Sequence, residues 1–127
     1  MGARYTLRIL ADFAAAHTLS GYPGACARMH GHNWKVEVEV EARELDATGM
    51  GVDFKVIKTA ARDLAGALDH RYLNEIEPFD RLNPTAENLA AWFYRGMAER
   101  LNDGRVRVLA VTLWETDRAC VRYTEEP

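Results

Sequence analysis

Residues 35–42 read KVEVEVEA, the most regular segment of the 127-residue chain. Val36, Val38 and Val40 alternate with three glutamates. A two-residue period places the valines on one face of a strand and the glutamates on the other, so the segment predicts a half-buried β-strand. We expect the valines to meet a protein core and the glutamates at 37, 39 and 41 to meet water.

Three further strands are predicted from the segments that flank this one. Residues 5–17, YTLRILADFAAAH, begin with the same apolar and polar alternation. Residues 106–115, VRVLAVTLWE, are apolar on both faces, which is typical of a strand covered on both sides. Residues 119–124, ACVRYT, predict its partner after a turn near Asp117. Cys120 in this segment is expected to pack as a small apolar residue.

Two helices are predicted between these strand pairs. Residues 55–68 carry apolar side chains at three- and four-residue steps, and Asp53 stands where an N-terminal cap is useful. The segment NPTAEN at 83–88 begins a second helix, with Thr85 as its cap. Its buried stripe is expected to contain Leu89, Trp92, Phe93, Met97 and Leu101.

The order strand, strand, helix, helix, strand, strand predicts an α+β fold. Strand pairs joined locally favour an antiparallel sheet, with both helices packed on one of its faces. The length favours a single domain over residues 1–127. The other face of the sheet then meets water or another subunit, and the two-sided apolar strand near Val111 favours assembly.

Composition excludes several classes of function. The formal net charge of −3 argues against a protein that binds duplex nucleic acid, which usually carries a basic surplus. The chain has no run of 18 apolar residues and does not begin like a secretory signal, so no membrane association is expected. Two cysteines are too few for a disulfide-rich secreted scaffold, and we expect a cytoplasmic protein with reduced thiols.

A histidine pair directly precedes the alternating strand. His30 and His32 flank Gly31 and share one face of an extended chain. His17 ends the first strand and becomes a third ligand if the two strands pair in antiparallel fashion. Three neutral imidazoles match a catalytic zinc site, which keeps a fourth position open. The alternative is that two surface histidines stand at this spacing by chance.

Three other positions carry groups suited to chemistry. Cys26, four residues before His30, has a thiol that a neighbouring cation can activate as a base or nucleophile. Asp69 and His70 form either a proton relay or an ordinary helix terminus with a capping histidine. Glu115 either accepts paired hydrogen bonds from a flat guanine-like ring or simply ends an exposed strand. The residues alone leave these alternatives open.

Five motifs together resemble the 6-pyruvoyltetrahydropterin synthase family. They are FAAAH ending at His17, CARMHGH at 26–32, LDHRYLN at 68–74, NPTAEN at 83–88 and WET ending at Thr116. Their order and separation fit that family over nearly the whole chain. Three residues separate Cys26 from the HGH motif, which is similar to the queuosine-pathway branch, 6-carboxy-5,6,7,8-tetrahydropterin synthase.

The resemblance implies a tunnelling fold (T-fold), a four-stranded antiparallel sheet with two helices on one face. Three subunits would close their sheets into a barrel, and two trimers would stack as a homohexamer with active sites at subunit interfaces. The implied zinc ligands are His17, His30 and His32. The implied catalytic residues are Cys26, which abstracts a proton, and Asp69 and His70, which form its relay from a neighbouring subunit. Glu115 would anchor the pterin ring, with Thr116 beside it.

The implied activity is that of a zinc-dependent lyase acting on 7,8-dihydroneopterin triphosphate. The carboxy branch releases acetaldehyde and triphosphate and forms 6-carboxy-5,6,7,8-tetrahydropterin for queuosine or 7-deazapurine biosynthesis. The pyruvoyl branch only eliminates triphosphate from the same substrate. A zinc-binding T-fold protein without catalysis would lack Cys26 or the Asp69–His70 pair, and both are present. A thiol hydrolase using Cys26 and His70 would leave the three remaining histidines without a role.

Overall fold

The computed structural model describes residues 2–21, 24 and 28–126. Its strands and α-helices, in chain order, are strand β1 (Tyr5–His17), strand β2 (His30–Ala42), helix α1 (Phe54–Gly66), strand β3 (Arg71–Tyr72), helix α2 (Ala86–Leu101), strand β4 (Val106–Thr116) and strand β5 (Ala119–Tyr123). A short 3₁₀ turn over Leu73–Glu75 follows β3. The five strands form one sheet in the order β3-β1-β2-β4-β5.

Both helices pack on the face of the sheet that carries the valines. α1 lies against β1 and β2, α2 lies against β4 and β5, and the two helices contact each other. Val36, Val38 and Val40 are fully buried there, as the alternation predicts. Phe13 of β1 stacks on Trp34 of β2, with ring centroids 5.9 Å apart. One hydrophobic core therefore fills the space between sheet and helices, and the α+β prediction is confirmed.

Both predicted helix caps are present. The Asp53 carboxylate accepts a hydrogen bond from the Lys55 backbone N–H at 2.8 Å. The Thr85 hydroxyl accepts one from the Asn88 N–H at 3.1 Å. These bonds satisfy donors that the first turn of a helix leaves without partners. In the part of the chain that the structure describes, neither helix has the length and apolarity needed to cross a membrane.

The expected four-stranded antiparallel sheet is wrong, because a fifth short strand makes the sheet mixed. β3 pairs in parallel with the end of β1, through Ala15 and Ala16. After α1, His70 takes a left-handed backbone conformation with φ of 58°, and its N–H donates to the Ala14 carbonyl. This turn directs Arg71 and Tyr72 along the edge of β1. Two residues are too few to show a strand period in the sequence.

Two expectations about exposure are also wrong. Glu39 lies on the sheet face away from the helices, yet its side chain is only 4% exposed. Its carboxylate accepts a hydrogen bond from Arg122 at 2.9 Å and lies 3.5 Å from Arg8, so two arginine side chains cover it. Cys120 is exposed instead of packed, because β5 lies at the edge of the sheet and directs this side chain away from the core.

Candidate active site

The three histidines named from the sequence meet at one end of the sheet. β1 and β2 pair in antiparallel fashion, which places His17 directly opposite His30 and Ala15 opposite His32. Each histidine offers one ring nitrogen, and these three nitrogens lie within 4.8 Å of one another. The His17 and His30 Nε2 atoms are 2.9 Å apart. The strand register thus brings all three imidazoles together on the helix-facing side.

Backbone carbonyls fix the ring tautomers of two of these histidines. The Nδ1 atom of His17 lies 2.7 Å from the Pro84 carbonyl oxygen, and that of His30 lies 2.7 Å from the Arg28 carbonyl oxygen. A carbonyl only accepts hydrogen bonds, so each Nδ1 carries the proton and donates it. The Nε2 atoms consequently keep their lone pairs, as they do in metal-binding histidines.

The resulting donor set fits a bound cation. Two Nε2 lone pairs face each other at 2.9 Å and repel unless a shared cation or a proton lies between them. Burial is the main cause that lowers the pKa of His17, and it also lowers the pKa of His32, which disfavours an added proton. The buried His32 Nε2 has no hydrogen-bond partner among the described residues. Three neutral imidazoles that converge in this way suit a divalent metal ion.

Trp34 forms the apolar floor of this cluster. Its indole is fully buried, and its ring centroid lies 5.1 Å from that of His17 and 5.2 Å from that of His32. The indole N–H donates to the Ala15 carbonyl at 3.2 Å, which fixes the ring against β1. A rigid apolar floor restricts the rotamers of the imidazoles and keeps water from one side of the site.

Glu115 approaches the same cluster from β4. Its two carboxylate oxygens lie 3.9 Å from the His17 Nε2 and 3.8 Å from the His32 Nε2. The sequence suggested a ring anchor or an exposed strand end, and neither reading anticipated this proximity. A register shift in the β4–β5 pairing falls between Trp114 and Thr116, so Glu115 is the extra residue of a β-bulge. The two-residue period of β4 also places Glu115 on the face of Leu113, which pairs with Val36 of β2, and this is the face of the histidine cluster.

Glu115 also lines a surface cavity of about 370 Å³. The remaining wall comes from the segment after β1, the start of α2 and β5, namely Leu19, Thr85, Ala86, Glu87, Ala119, Cys120 and Val121. The volume lies in the range of small-molecule pockets. Thr116 is exposed and is not part of this wall, and its hydroxyl accepts a hydrogen bond from the Arg118 N–H.

Asp69 and His70 form a preorganised pair. One Asp69 oxygen accepts a hydrogen bond from the Ala14 N–H at 2.8 Å, and the other lies 2.9 Å from the His70 Nδ1. The Ala14 N–H is the main cause that lowers the pKa of Asp69, and His70 contributes as well. The His70 side chain is 82% exposed, with its Nε2 outside this hydrogen bond. The left-handed backbone at His70 is uncommon for a residue with a side chain, and such conformations often mark functional positions.

Two asparagines hold the segment that follows His17, although neither was predicted as a site residue. The Asn74 side chain accepts from the Thr18 N–H and donates to the Thr18 carbonyl, at 2.9 and 2.8 Å. The Asn83 side chain makes the same pair of bonds with Ser20, both at 2.9 Å. Each side-chain amide thus makes the pair of backbone hydrogen bonds that a neighbouring strand would otherwise make. The asparagines of the YLN and NPTAEN motifs position the entrance to the loop between β1 and β2.

Cys26 lies outside the described residues, so its predicted role as base stays a prediction. The described ends of its loop are nevertheless near the histidines, because His17 and His30 bound that loop on either side. Among the described residues, His70 has no hydrogen bond or ion pair with the three-histidine cluster. Within one chain, the structure thus brings together His17, His30, His32 and Glu115 and leaves the Asp69–His70 pair facing outward.

Comparison with known proteins identifies the family to which these features belong. The family model for 6-pyruvoyl tetrahydropterin synthase matches residues 6–126. The 6-carboxy-5,6,7,8-tetrahydropterin synthase of Synechocystis sp. is 35% identical over 117 residues, which covers 88% of this chain and 87% of the relative. A protein of the same name from Aquifex aeolicus is 31% identical over 124 residues, covering 80% of this chain and 76% of the relative.

A solved structure agrees with these relatives. The 6-pyruvoyl tetrahydropterin synthase of Caenorhabditis elegans superposes with a TM-score of 0.86 at 25% identity, and the match covers 98% of both chains. The α+β fold of this chain is therefore the T-fold of those synthases. The chain belongs to the 6-pyruvoyl tetrahydropterin synthase family, whose members are pterin synthases.

Proposed function

We propose that this protein is a zinc-dependent 6-carboxy-5,6,7,8-tetrahydropterin synthase. The reaction converts 7,8-dihydroneopterin triphosphate and water into 6-carboxy-5,6,7,8-tetrahydropterin, acetaldehyde and triphosphate, a lyase step of queuosine or 7-deazapurine biosynthesis. The observation that carries the proposal is the convergence of His17, His30 and His32 with Glu115 beside a cavity of pocket size. Relatives with the carboxy name at 31–35% identity support this branch over the pyruvoyl branch.

Zinc is the proposed metal because the three donors are all neutral imidazoles. Three histidines with an open fourth position are typical of catalytic zinc, whereas structural zinc usually takes four ligands and favours cysteine. His17 and His30 would use Nε2, since their Nδ1 atoms donate to carbonyls. Zinc bound there supplies a Lewis acid that makes a C–H bond beside the side-chain hydroxyl groups of the substrate easier to ionise.

Proton transfers are assigned to Cys26, Asp69 and His70. Cys26 takes a proton from the substrate side chain as a thiolate, which needs a thiol pKa near neutrality. His70 returns a proton at another carbon, and the Asp69 carboxylate fixes its ring by holding the Nδ1 proton. The exposed, outward-facing His70 supports a site completed by two subunits, because among the described residues it makes no hydrogen bond or ion pair with the histidine cluster of its own chain.

Glu115 is assigned to ring recognition. Pterins present an N–H and an NH₂ group side by side, and one carboxylate can accept a hydrogen bond from each. The cavity that Glu115 lines gives space for a flat ring next to the metal cluster. Thr116, the next residue of β4, is assigned a secondary role in binding the same ring. The assembly proposed for these shared sites is a homohexamer made of two trimers, with no nucleic acid or membrane as partner.

Product identification tests the proposed function. We expect the zinc-loaded protein, incubated with 7,8-dihydroneopterin triphosphate, to release one acetaldehyde for each 6-carboxy-5,6,7,8-tetrahydropterin, measured by liquid chromatography with mass spectrometry. The control is protein stripped of metal with a chelator and then reloaded. A 6-pyruvoyl product without acetaldehyde would assign the chain to the neighbouring branch. Metal binding without any pterin product would instead support the non-catalytic assembly protein.

A further inference from the structure

The position of Glu115 suggests how ligand binding in the cavity that it lines affects metal binding by the three histidines. Its carboxylate lies 3.8 and 3.9 Å from two histidine nitrogens of the cluster, and it is also part of the cavity wall. Two atoms that bind one zinc ion at about 2.0–2.2 Å each are at most roughly 4.3 Å apart. Both contacts fall within that limit, so Glu115 is within reach of an ion held by the histidines.

The same side chain has room to leave the histidines. It is 33% exposed, and among the described residues it makes no hydrogen bond that would hold it in place. The β-bulge at Glu115 interrupts its pairing with β5. In contrast, His17 is fully buried and bonded to the Pro84 carbonyl. Glu115 is therefore less constrained than His17 and His30, whose rings donate to backbone carbonyls.

We infer that the Glu115 carboxylate occupies the open coordination position of the metal before substrate binds, and that a pterin ring entering the cavity draws it away. The inference rests on the proposed function for the identity of the ring. One Glu115 oxygen faces His17 and the other faces His32, so the carboxylate has to turn before both oxygens can accept hydrogen bonds from the two ring donors. Ring binding and metal ligation by Glu115 then compete, and each weakens the other by the same factor.

Cobalt(II) tests this inference without any measurement of turnover. Co²⁺ replaces zinc in such sites, and its visible absorption changes with the number and type of ligands. We expect pterin itself, which has the ring but no side chain, to alter the Co²⁺ spectrum of the wild-type protein on binding. Glu115→Gln should lack the ligand, show a different spectrum without pterin, and bind Co²⁺ about 10- to 100-fold more weakly, as for lost partners of other metal ligands.

The coupling between pterin binding and Co²⁺ binding gives the decisive comparison. At pterin concentrations shown to saturate each protein, pterin should weaken Co²⁺ binding by the wild-type protein and should leave that of Glu115→Gln unchanged, as measured by competition with a chelator. Asp117→Asn is the matched control, since it removes a carboxylate from the exposed turn two residues away. It should behave like the wild type. Melting curves of the three metal-free proteins check that each variant is folded.

Several results would overturn the inference. One is a wild-type Co²⁺ spectrum that stays the same when pterin is shown to bind, and another is failure of pterin to bind at all. A third is Glu115→Gln with wild-type spectrum and Co²⁺ affinity. The wild-type titration alone decides the matter if the variant does not fold. Product formation can succeed while the spectrum stays unchanged, so failure of this inference is distinguishable from failure of the proposed function.

Discussion

His32→Ala is expected to yield a folded protein that retains no tightly bound zinc and has no synthase activity. Four-ligand sites hold zinc with about 10–16 kcal/mol, so one ligand contributes about 3–4 kcal/mol and its loss weakens binding roughly 10²–10³-fold. His32 is the best of the three positions to change, because its Nε2 makes no hydrogen bond among the described residues that the substitution would break. His17→Ala would also remove a buried hydrogen bond to Pro84.

The measurement is zinc content per chain after dialysis, together with the melting temperature of the metal-free protein. Asn33→Ala is the matched control, because Asn33 is the next residue of β2 and points to the opposite, exposed face. It should keep both zinc and activity. A His32→Ala protein that binds zinc as tightly as the wild type would show that the three histidines do not form the metal site.

Mixed oligomers of two inactive variants are expected to regain activity. Cys26→Ala and His70→Ala should each abolish turnover while zinc stays bound, because neither residue is among the proposed ligands. If Cys26 of one subunit works with Asp69 and His70 of the next, random mixing leaves roughly a quarter of the sites with both groups intact. The outward-facing His70 side chain, 82% exposed, is the structural reason to expect a shared site.

Co-expression of the two variants with different affinity tags isolates oligomers that contain both chains. The matched control mixes His70→Ala with Asp69→Asn, which damage the same relay, so that no composite site is intact. That mixture should stay inactive. Absence of recovery in the Cys26→Ala and His70→Ala oligomers would contradict the shared site, and a fully active Cys26→Ala protein would remove the cysteine from the mechanism.

The long elements of the fold were predictable because each repeats a local pattern over many residues. The valines of β2 alternate over three full periods, and the caps Asp53 and Thr85 satisfy backbone donors next to them in the chain. β3 was not predictable on these grounds. It depends on the left-handed turn at His70 and on a bond to Ala14, which lies far away in sequence.

The candidate site likewise contains features that the sequence predicts and features that it does not. The three-histidine cluster followed from the spacing of His30 and His32 and from one assumption about strand pairing, which the register confirms. The carbonyl oxygens that accept hydrogen bonds from the rings could not be predicted from the sequence. Every residue has a carbonyl, and only the fold selects those of Pro84 and Arg28. The approach of Glu115 depends on the pairing of β2 with β4, which sets Leu113 opposite Val36, and no local sequence pattern gives that register.

The most direct test of the central claim is a crystal structure of the protein purified without chelators, with data collected on both sides of the zinc absorption edge. The account predicts one anomalous difference peak per chain, about 2.0–2.1 Å from a ring nitrogen of each of His17, His30 and His32. A protein with no such peak after zinc is added, or with zinc bound by other residues, would contradict it.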